Sequence, residues 1–285
     1  MDGQVLVNVP HGFWEDGLLC REVGLRPVNS SDERFLLEST GALVAARANE
    51  LLTRCLVADT LTVAQRRARI QSLVAGDREA LLLHLRRISF GETFEGVFNC
   101  GQHGCDATLE VELRIADLLL PPYRDAEDSY CRTIQDGGVA YEVSFRLPTA
   151  GDQEAVAQLA RTDAERAARM IFERCVSRVE SEHRAMEIDD LPFSFFDKVA
   201  ALMEELDPQV VIELALKCPA CGKSYSAQCD VATFLLQELD QRADRLLRDI
   251  HTLAVWYHWS EEAILGLPRL RRERYLNLIA AETGA

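Results

Sequence analysis

The sequence has few basic residues and no long apolar run. Lysine and arginine number 31 against 46 aspartate and glutamate residues in a chain of 285, which gives a formal net charge of −15 at pH 7. A nucleic-acid-binding protein needs a basic face that displaces counterions from phosphates, so this composition argues against that class. No apolar stretch approaches the length of a membrane span. The composition therefore predicts a globular protein with no nucleic-acid or membrane partner.

An export signal and the common catalytic motifs are also lacking. Residues Met1 to Gln4 do not have the basic-then-apolar layout of a signal peptide, so we expect a cytoplasmic protein. In that compartment the nine cysteines are expected as thiols or metal ligands rather than disulfides. The sequence has no glycine-rich phosphate loop, no nucleophile-elbow serine and no His-Glu-x-x-His helix. Paired carboxylates such as Glu204–Glu205 are typical of solvated helix faces, and we predict a non-enzyme without a small-molecule substrate.

The most specific feature is a pair of cysteine knuckles, each lying between strand-like stretches. Residues 94–98 and 109–113, on either side of Cys100 and Cys105, have the alternating side-chain pattern of strands. Residues 212–216, which precede Cys218-Pro219-Ala220-Cys221, have the same pattern. Together the two knuckles supply four thiolates, which is the ligand set of a tetrahedral structural zinc site closed to substrate. The alternative for Cys218 and Cys221 is a redox dithiol, but such a pair usually begins a helix. The pattern thus favours one structural zinc ion.

The two hairpins also match each other in sequence. Counted back from the first cysteine of each knuckle, Phe94 corresponds to Ile212; counted forward from the second, Leu113 corresponds to Cys229. These matches indicate a duplicated strand–knuckle–strand–helix unit, and chance agreement of two amphipathic hairpins is the alternative. The duplication makes Cys229 a core residue rather than a fifth ligand, while His103, the other rival ligand, is expected to face solvent. The remaining cysteines are expected as buried thiols: Cys20, Cys55, Cys131 and Cys175.

The patterning as a whole predicts an α+β fold, mostly helical, with a small antiparallel zinc-bearing sheet built from the two hairpins. A capping cluster at 30–32 begins a helix, and in the helix that opens at Gly76-Asp77 we expect Arg78, Arg86 and Arg87 to face solvent. The acidic stretch 123–138 is expected as a loop, and a helical pattern covers 163–178. The predicted segments are an N-terminal strand and turn segment (1–30), a helical region (31–90), the first zinc-knuckle hairpin (91–122), a strand with a helical insertion (139–206), the second zinc-knuckle hairpin with a long helix (207–252) and a C-terminal helical segment (253–285). The last segment is expected to contain two short helices, one of which starts at Pro268.

The C-terminal segment is the best candidate for a partner-binding surface. It carries Trp256, Tyr257 and Trp259, followed by Arg271 and Arg272. Aromatic side chains and arginines are enriched at the energetic centres of protein interfaces. The alternative is that the aromatic side chains pack the terminal helices onto the body of the protein, and the sequence leaves both interpretations open.

Several segments resemble a known family when they are taken in order. They include "LLCREVGLRPVNSSDERFLLE", "AGDREALLLHLRRISFGETFEGVFNC", "LKCPACG" and "YHWSEEAILGLP". Together they resemble T-even-type baseplate hub assembly chaperones, which are encoded in contractile phage tail and extracellular contractile injection system clusters. The resemblance spans about residues 18 to 280.

The resemblance implies a non-catalytic protein that helps to build, or becomes part of, the baseplate of a contractile tail-like particle. Its partners would be baseplate, hub or spike proteins, and it would be cytoplasmic or incorporated in a virion or tail-like particle. The resemblance carries the zinc ligands onto Cys100, Cys105, Cys218 and Cys221. One departure is the four-residue spacer between Cys100 and Cys105, where a two-residue spacer is more usual.

Overall fold

The computed structural model describes residues 4–58, 60–267 and 269–283. The chain divides into two compact units: the larger runs up to Pro27 and over Leu43–Ala232, and the smaller comprises Val28–Ala42 and the residues from Thr233 onward. The structure is 50% helical and 25% strand, a mixed helix and sheet fold with small antiparallel sheets, as predicted. The first three residues, assessed for an export signal, and Pro268, the predicted start of the last helix, lie outside the described residues.

The strands all lie in the larger unit and pair antiparallel. Three two-stranded sheets, β1–β2, β3–β4 and β9–β10, accompany one four-stranded sheet in the order β5–β6–β7–β8. The two knuckle hairpins are therefore separate sheets and not the single sheet that we expected. Among the described residues the strands are β1 (Val5–Glu15), β2 (Leu18–Leu25), β3 (Thr93–Asn99), β4 (Thr108–Arg114), β5 (Tyr130–Asp136), β6 (Val139–Phe145), β7 (Val176–Ser181), β8 (Arg184–Ala185), β9 (Glu213–Lys217) and β10 (Ser224–Gln228).

The helices follow the predicted patterns closely, with α4 as the central buried element of the larger unit. Every residue of α4 from Ala75 to Arg86 is buried. No helix in the described part of the chain combines the length and apolar composition that crossing a membrane requires. The helices are α1 (Ser30–Glu38), α2 (Val44–Cys55), α3 (Val63–Ser72), α4 (Ala75–Phe90), α5 (Ile115–Leu118), α6 (Ala150–Ala160), α7 (Ala164–Cys175), α8 (Phe193–Leu206), α9 (Val231–Tyr257), α10 (Glu261–Leu265) and α11 (Arg269–Thr283).

Two further expectations about regular structure were wrong. The acidic stretch 123–138 is not a continuous loop, because β5 occupies its second half and pairs with β6 from Tyr130↔Phe145 onward. Tyr130 and Ile134 point into the core on one face of β5, and this inward alternation outweighs the acidic composition around it. The helical pattern at 163–178 is also too long: α7 ends at Cys175, and β7 follows directly.

Two of the three arginines of α4 do not face solvent as expected: Arg78 is 5% exposed and Arg86 8% exposed, whereas Arg87 is half-buried. Arg78 pairs with the neighbouring carboxylate of Glu79. Arg86 donates to the backbone oxygens of Gly91 and Thr93, each at 2.6 Å. A guanidinium can satisfy several carbonyl groups beyond a helix end at once, which compensates its burial. Through these bonds Arg86 fixes the point at which the chain leaves α4 and enters β3, the first strand of the first knuckle hairpin.

A buried polar network joins the residues that precede the two knuckle hairpins. Asp77, in the first turn of α4, accepts hydrogen bonds from the backbone N–H groups of His11 and Gly12, both at 2.8 Å. Asp207, which ends α8 and leads towards β9, accepts from the N–H of Gly76 at 2.8 Å and from the Tyr123 hydroxyl at 3.1 Å. Burial raises the pKa of each carboxyl group to about 6. No local sequence pattern reveals this network, because its members are far apart in the chain.

Candidate metal centre

The first knuckle closes the β3–β4 hairpin. Cys100 follows β3 directly, and its N–H donates to the backbone oxygen of Ala107 at 2.8 Å, which continues the ladder one pair beyond the strands. Within the loop, the N–H of Cys105 donates to the oxygen of Gln102 at 3.1 Å. Gly104 has a φ of +79°, in the left-handed region that glycine adopts without strain. This turn brings the Cys105 sulfur back towards Cys100.

The second knuckle repeats the arrangement at the end of the β9–β10 hairpin. The N–H of Cys218 donates to the oxygen of Lys223 at 3.0 Å, and the N–H of Gly222 donates to the oxygen of Cys218 at 2.9 Å. Gly222 has a φ of +73°, in the left-handed region that a tight turn requires at this position. The two-residue spacer thereby places Cys218 and Cys221 on the same side of the loop.

All four cysteine sulfurs meet between the two hairpins. The Sγ atoms of Cys100, Cys105, Cys218 and Cys221 all lie within 4.8 Å of one another. Cys100 and Cys221 are 3.8 Å apart, and so are Cys105 and Cys218, so each close contact joins one hairpin to the other. A tetrahedral ion with metal–sulfur bonds of about 2.3 Å holds its sulfurs about 3.8 Å apart. The four thiols can therefore hold a metal ion with little movement.

The surroundings of the sulfurs are apolar on one side and open on the other. Cys100 and Cys218 are buried and form a small cluster with Leu109, against which Tyr225 also packs. Cys221 is exposed at the outer edge of the site. A hydrogen bond from the backbone N–H of Cys221 lowers the pKa of the Cys218 thiol, whereas burial and the neighbouring thiols raise the pKa of Cys100. Cys218 is thus the thiol of this pair that ionises more readily, and the thiolate is the form that coordinates a metal.

The geometry of the two hairpins supports the interpretation that the unit is duplicated. Phe94 pairs with Leu113 in the first hairpin, and the equivalent residues of the second, Ile212 and Cys229, are joined by a backbone hydrogen bond of 2.8 Å. The knuckle bonds made by Cys100 and Cys218 are equivalent as well. A helix follows each hairpin and begins at a matching position. α5 begins two residues after Leu113, and α9 begins two residues after Cys229. Equivalent backbone bonds at equivalent positions argue against chance agreement.

The remaining cysteines and His103 lie outside the sulfur cluster. His103 is exposed in the turn of the first knuckle, and the group of residues able to hold a metal does not include it. Cys229 is 5% exposed, and burial raises the pKa of its thiol to about 12, which fits a core residue. Cys55 and Cys175 are buried as expected, whereas Cys20 is half-buried. Cys131 is exposed, contrary to expectation, because its side chain lies on the outer face of β5.

The predicted partner surface divides into packed and exposed residues of the smaller unit. Tyr257 and Trp259 stack with ring centroids 4.8 Å apart, and both contact Tyr275 of α11. Arg272 is 3% exposed and donates to the Ser30 hydroxyl and, at 3.2 Å, to the Leu267 oxygen. These side chains hold the helices of the smaller unit together. Trp256, at 44% exposure, and Arg271 remain accessible at the surface.

The carboxylate pair on α8 is solvated, as the sequence predicted. Glu204 and Glu205 are exposed on α8, and His251 and His258 are exposed in the smaller unit. Asp77 and Asp207, by contrast, are buried in the hydrogen-bond network beside α4, and the buried Asp152 pairs with Arg146 and Arg174. The carboxylates of Asp77 and Asp207 accept hydrogen bonds from backbone N–H groups and from a tyrosine hydroxyl. Among the described residues, the four thiols are therefore the best-defined group for binding an ion.

The chain is a mixed helix and sheet protein in which two knuckle hairpins bring four cysteines together. Residues 18–235, which include both hairpins, match the model of the family described as T4 bacteriophage base plate protein. The chain belongs to this family of phage baseplate proteins. Neither a search of curated proteins nor a search of solved structures returned a match to the chain.

Proposed function

We propose that this chain is a non-catalytic structural component or assembly factor of the baseplate or hub of a contractile phage tail, or of a related injection system, and that one zinc ion stabilises it. Membership of the baseplate family supports the setting. The observation that carries the zinc proposal is the approach of four thiols from two distant hairpins to within 4.8 Å.

The donor set favours zinc in a structural role. Four thiolates in a tetrahedral arrangement fill the coordination sphere of zinc and leave no position for a substrate. The close pair Cys100–Cys221 joins residues 121 positions apart in the chain, and Cys105–Cys218 joins residues 113 apart. Zinc bound here would link the two hairpins and their helical insertion, so that the free energy of metal binding becomes free energy of folding.

The proposed partners are baseplate, hub or spike proteins of the particle. The exposed residues Trp256 and Arg271 are the parts of the predicted surface that such a partner could contact directly. Tyr257, Trp259 and Arg272 would support this surface from within the smaller unit, through the ring stacking and hydrogen bonds described above. The chain would act in the cytoplasm during assembly or remain in the finished virion or tail-like particle.

The zinc proposal is tested by metal analysis of the purified full-length chain. We expect about one zinc ion per chain, lost in Cys218→Ser and retained in Cys131→Ser, which alters a thiol outside the cluster. Chelation should lower the melting temperature reversibly. A metal-free chain whose Cys218 and Cys221 cycle between thiol and disulfide with a reductant would support a redox protein instead.

The assembly proposal is tested by co-expressing the chain with the hub and spike proteins encoded beside it. We expect a stable complex with one of them and no catalytic turnover. Failure to bind any of these proteins, together with a shift of DNA or RNA in an electrophoretic assay at moderate salt, would favour a zinc-ribbon nucleic-acid module.

A further inference from the structure

An apolar groove runs between α7 and α8 in the larger unit. It has a volume of about 420 Å³, and Ile171, Phe172 and Phe196 contribute to its lining. Phe193, at the start of α8, also lines it and is 66% exposed. An exposed aromatic side chain beside an apolar groove is a feature of interaction sites. The apolar face of a helix is the kind of segment that such a groove accommodates.

The rim of the groove carries carboxylates that lack a cation. Glu165 and Asp197 are exposed, and neither forms an ion pair with any residue that the structure describes. Asp163 is engaged in capping α7, where it accepts from the N–H of Arg166 at 2.9 Å. Arg169 already pairs with two carboxylates of the same unit. A helix that occupies the groove should therefore bring basic side chains to Glu165 and Asp197.

The exposed face of α11 in the smaller unit has this chemistry. Arg271, Arg274 and Leu278 are spaced three and four residues apart, which places them on one face of the helix. Both arginines are exposed and without an ion pair in the described part of the chain, although acidic residues outnumber basic ones by 46 to 31. Leu278 is 55% exposed. Glu282 follows on the same face of α11, and Arg166 at the groove carries the opposite charge.

We propose that α11 of one copy of this chain docks in the α7–α8 groove of a second copy. Leu278 supplies the apolar anchor beside Phe193, and Arg271 and Arg274 meet the rim carboxylates. Since the two surfaces differ, the association is head-to-tail, and an open assembly has one free groove at one end and one free α11 face at the other unless a ring closes. The association requires neither the zinc ion nor the baseplate partners proposed above.

The first test is sedimentation velocity on the full-length zinc-loaded chain under reducing conditions. We expect association that grows with protein concentration and weakens as salt is added. Phe193→Asp and Leu278→Asp should each raise the dissociation constant by about tenfold or more, because each places a charge against the apolar contact. The matched control is Leu18→Asp, which puts the same charge at a leucine that is 71% exposed but outside both surfaces, and it should associate like the wild type.

Charge exchange provides the second test. Arg271→Glu with Arg274→Glu should weaken association by about tenfold at low salt, and adding Glu165→Lys with Asp197→Lys should restore most of it. A full-length chain that stays monomeric at every concentration overturns the proposal. It is also overturned if Phe193→Asp associates as tightly as Leu18→Asp, or if the exchanged charges fail to restore association. Circular dichroism of each variant verifies that its fold is intact.

Discussion

The first knuckle hairpin buries three apolar side chains of its strands, Phe98, Leu109 and Leu113, at 6–8% exposure. The strands of the second hairpin, β9 and β10, have no buried residue along their length. Yet the knuckles themselves are alike in their backbone bonds, and each first cysteine is buried. The hairpins thus share the end that carries the sulfurs and differ in the packing behind it.

The difference indicates what each hairpin depends on. Hydrophobic burial can hold the first hairpin in place without help from the sulfurs, at about 25 cal/mol for each Å² of apolar surface removed from water. The second hairpin has little such burial, so it depends on its two ends. At one end Cys218 and Cys221 meet the first knuckle. At the other, Asp207 ties the chain entering β9 to Gly76 of α4.

The largest expected effect follows from Cys218→Ser. This change removes a fully buried sulfur from the centre of the cluster, so the zinc ion should be lost. The free energy of unfolding of the larger unit should then fall by on the order of 5 kcal/mol. Thermal unfolding with parallel zinc analysis measures the effect. Hydrogen exchange should increase in both hairpins, and more in residues 213–228 than in residues 93–114.

Cys131→Ser is the matched control for Cys218→Ser. The Cys131 thiol is exposed and donates only to the Glu142 carboxylate at 3.4 Å, a bond that a serine hydroxyl can replace. We expect unchanged zinc content and a stability change within about 0.5 kcal/mol. If Cys218→Ser left hydrogen exchange in residues 93–114 unaltered, the idea of a site shared by both hairpins would be wrong.

The next effect compares two equivalent core positions, Leu113 and Cys229. Leu113→Ala should cost about 2–5 kcal/mol, because it leaves a cavity among packed apolar side chains. Cys229→Ala removes a single small group and should cost about 1 kcal/mol. Both variants should keep their zinc ion, and urea denaturation measures both. Equal costs at the two positions would contradict the view that the second hairpin contributes less to its own packing.

The sequence was sufficient to predict the sulfur cluster for a local reason. The spacing within each knuckle and the glycine that follows Cys221 are short-range patterns, and the hypothesis of a shared four-thiolate site predicted that the two knuckles meet. The helices were predictable for the same reason, because their caps and apolar spacing are local. The correspondence of Leu113 with Cys229 related two distant parts of the sequence and predicted that Cys229 is a core residue.

Features that depend on distant partners were not predictable. Asp207 binds the N–H of Gly76, which is 131 residues away in sequence, and no local pattern distinguishes it from a solvated aspartate. Arg86 was expected in solvent, but the carbonyl groups of Gly91 and Thr93 make its burial favourable. The strand β5 was missed since its pairing with β6, and not its own composition, stabilises it. In each case a tertiary contact outweighs the local preference.

Asp207→Asn tests the other end of the second hairpin through its pH dependence. Burial raises the pKa of Asp207 from 3.8 to about 6, and the nearby charge of Asp77 adds to the rise. The folded chain therefore binds a proton here more tightly than the unfolded chain. The resulting stability is complete below about pH 4 and is lost as the pH rises through about 6.

The measurement is the free energy of unfolding of the wild type minus that of Asp207→Asn, from pH 4 to pH 6.5 at saturating zinc. The difference should fall by on the order of 2 kcal/mol as the pH rises. The effect of acid on the thiolates cancels, because both chains keep the four cysteines. A difference that stays constant with pH, or that grows, would show that Asp207 is ionised in the folded chain throughout this range.

The smallest expected effect concerns His103→Ala and the unequal spacers of the two knuckles. The four-residue loop of the first knuckle places His103 in solvent, and the shared sulfur geometry requires only cysteines. Zinc affinity, measured by competition with a chromogenic chelator, should be unchanged in His103→Ala. In Cys105→Ser it should fall by at least about 100-fold, since a thiolate ligand is lost. If both variants lost affinity to the same extent, His103 would be a ligand, and the two knuckles would differ in chemistry as well as in packing.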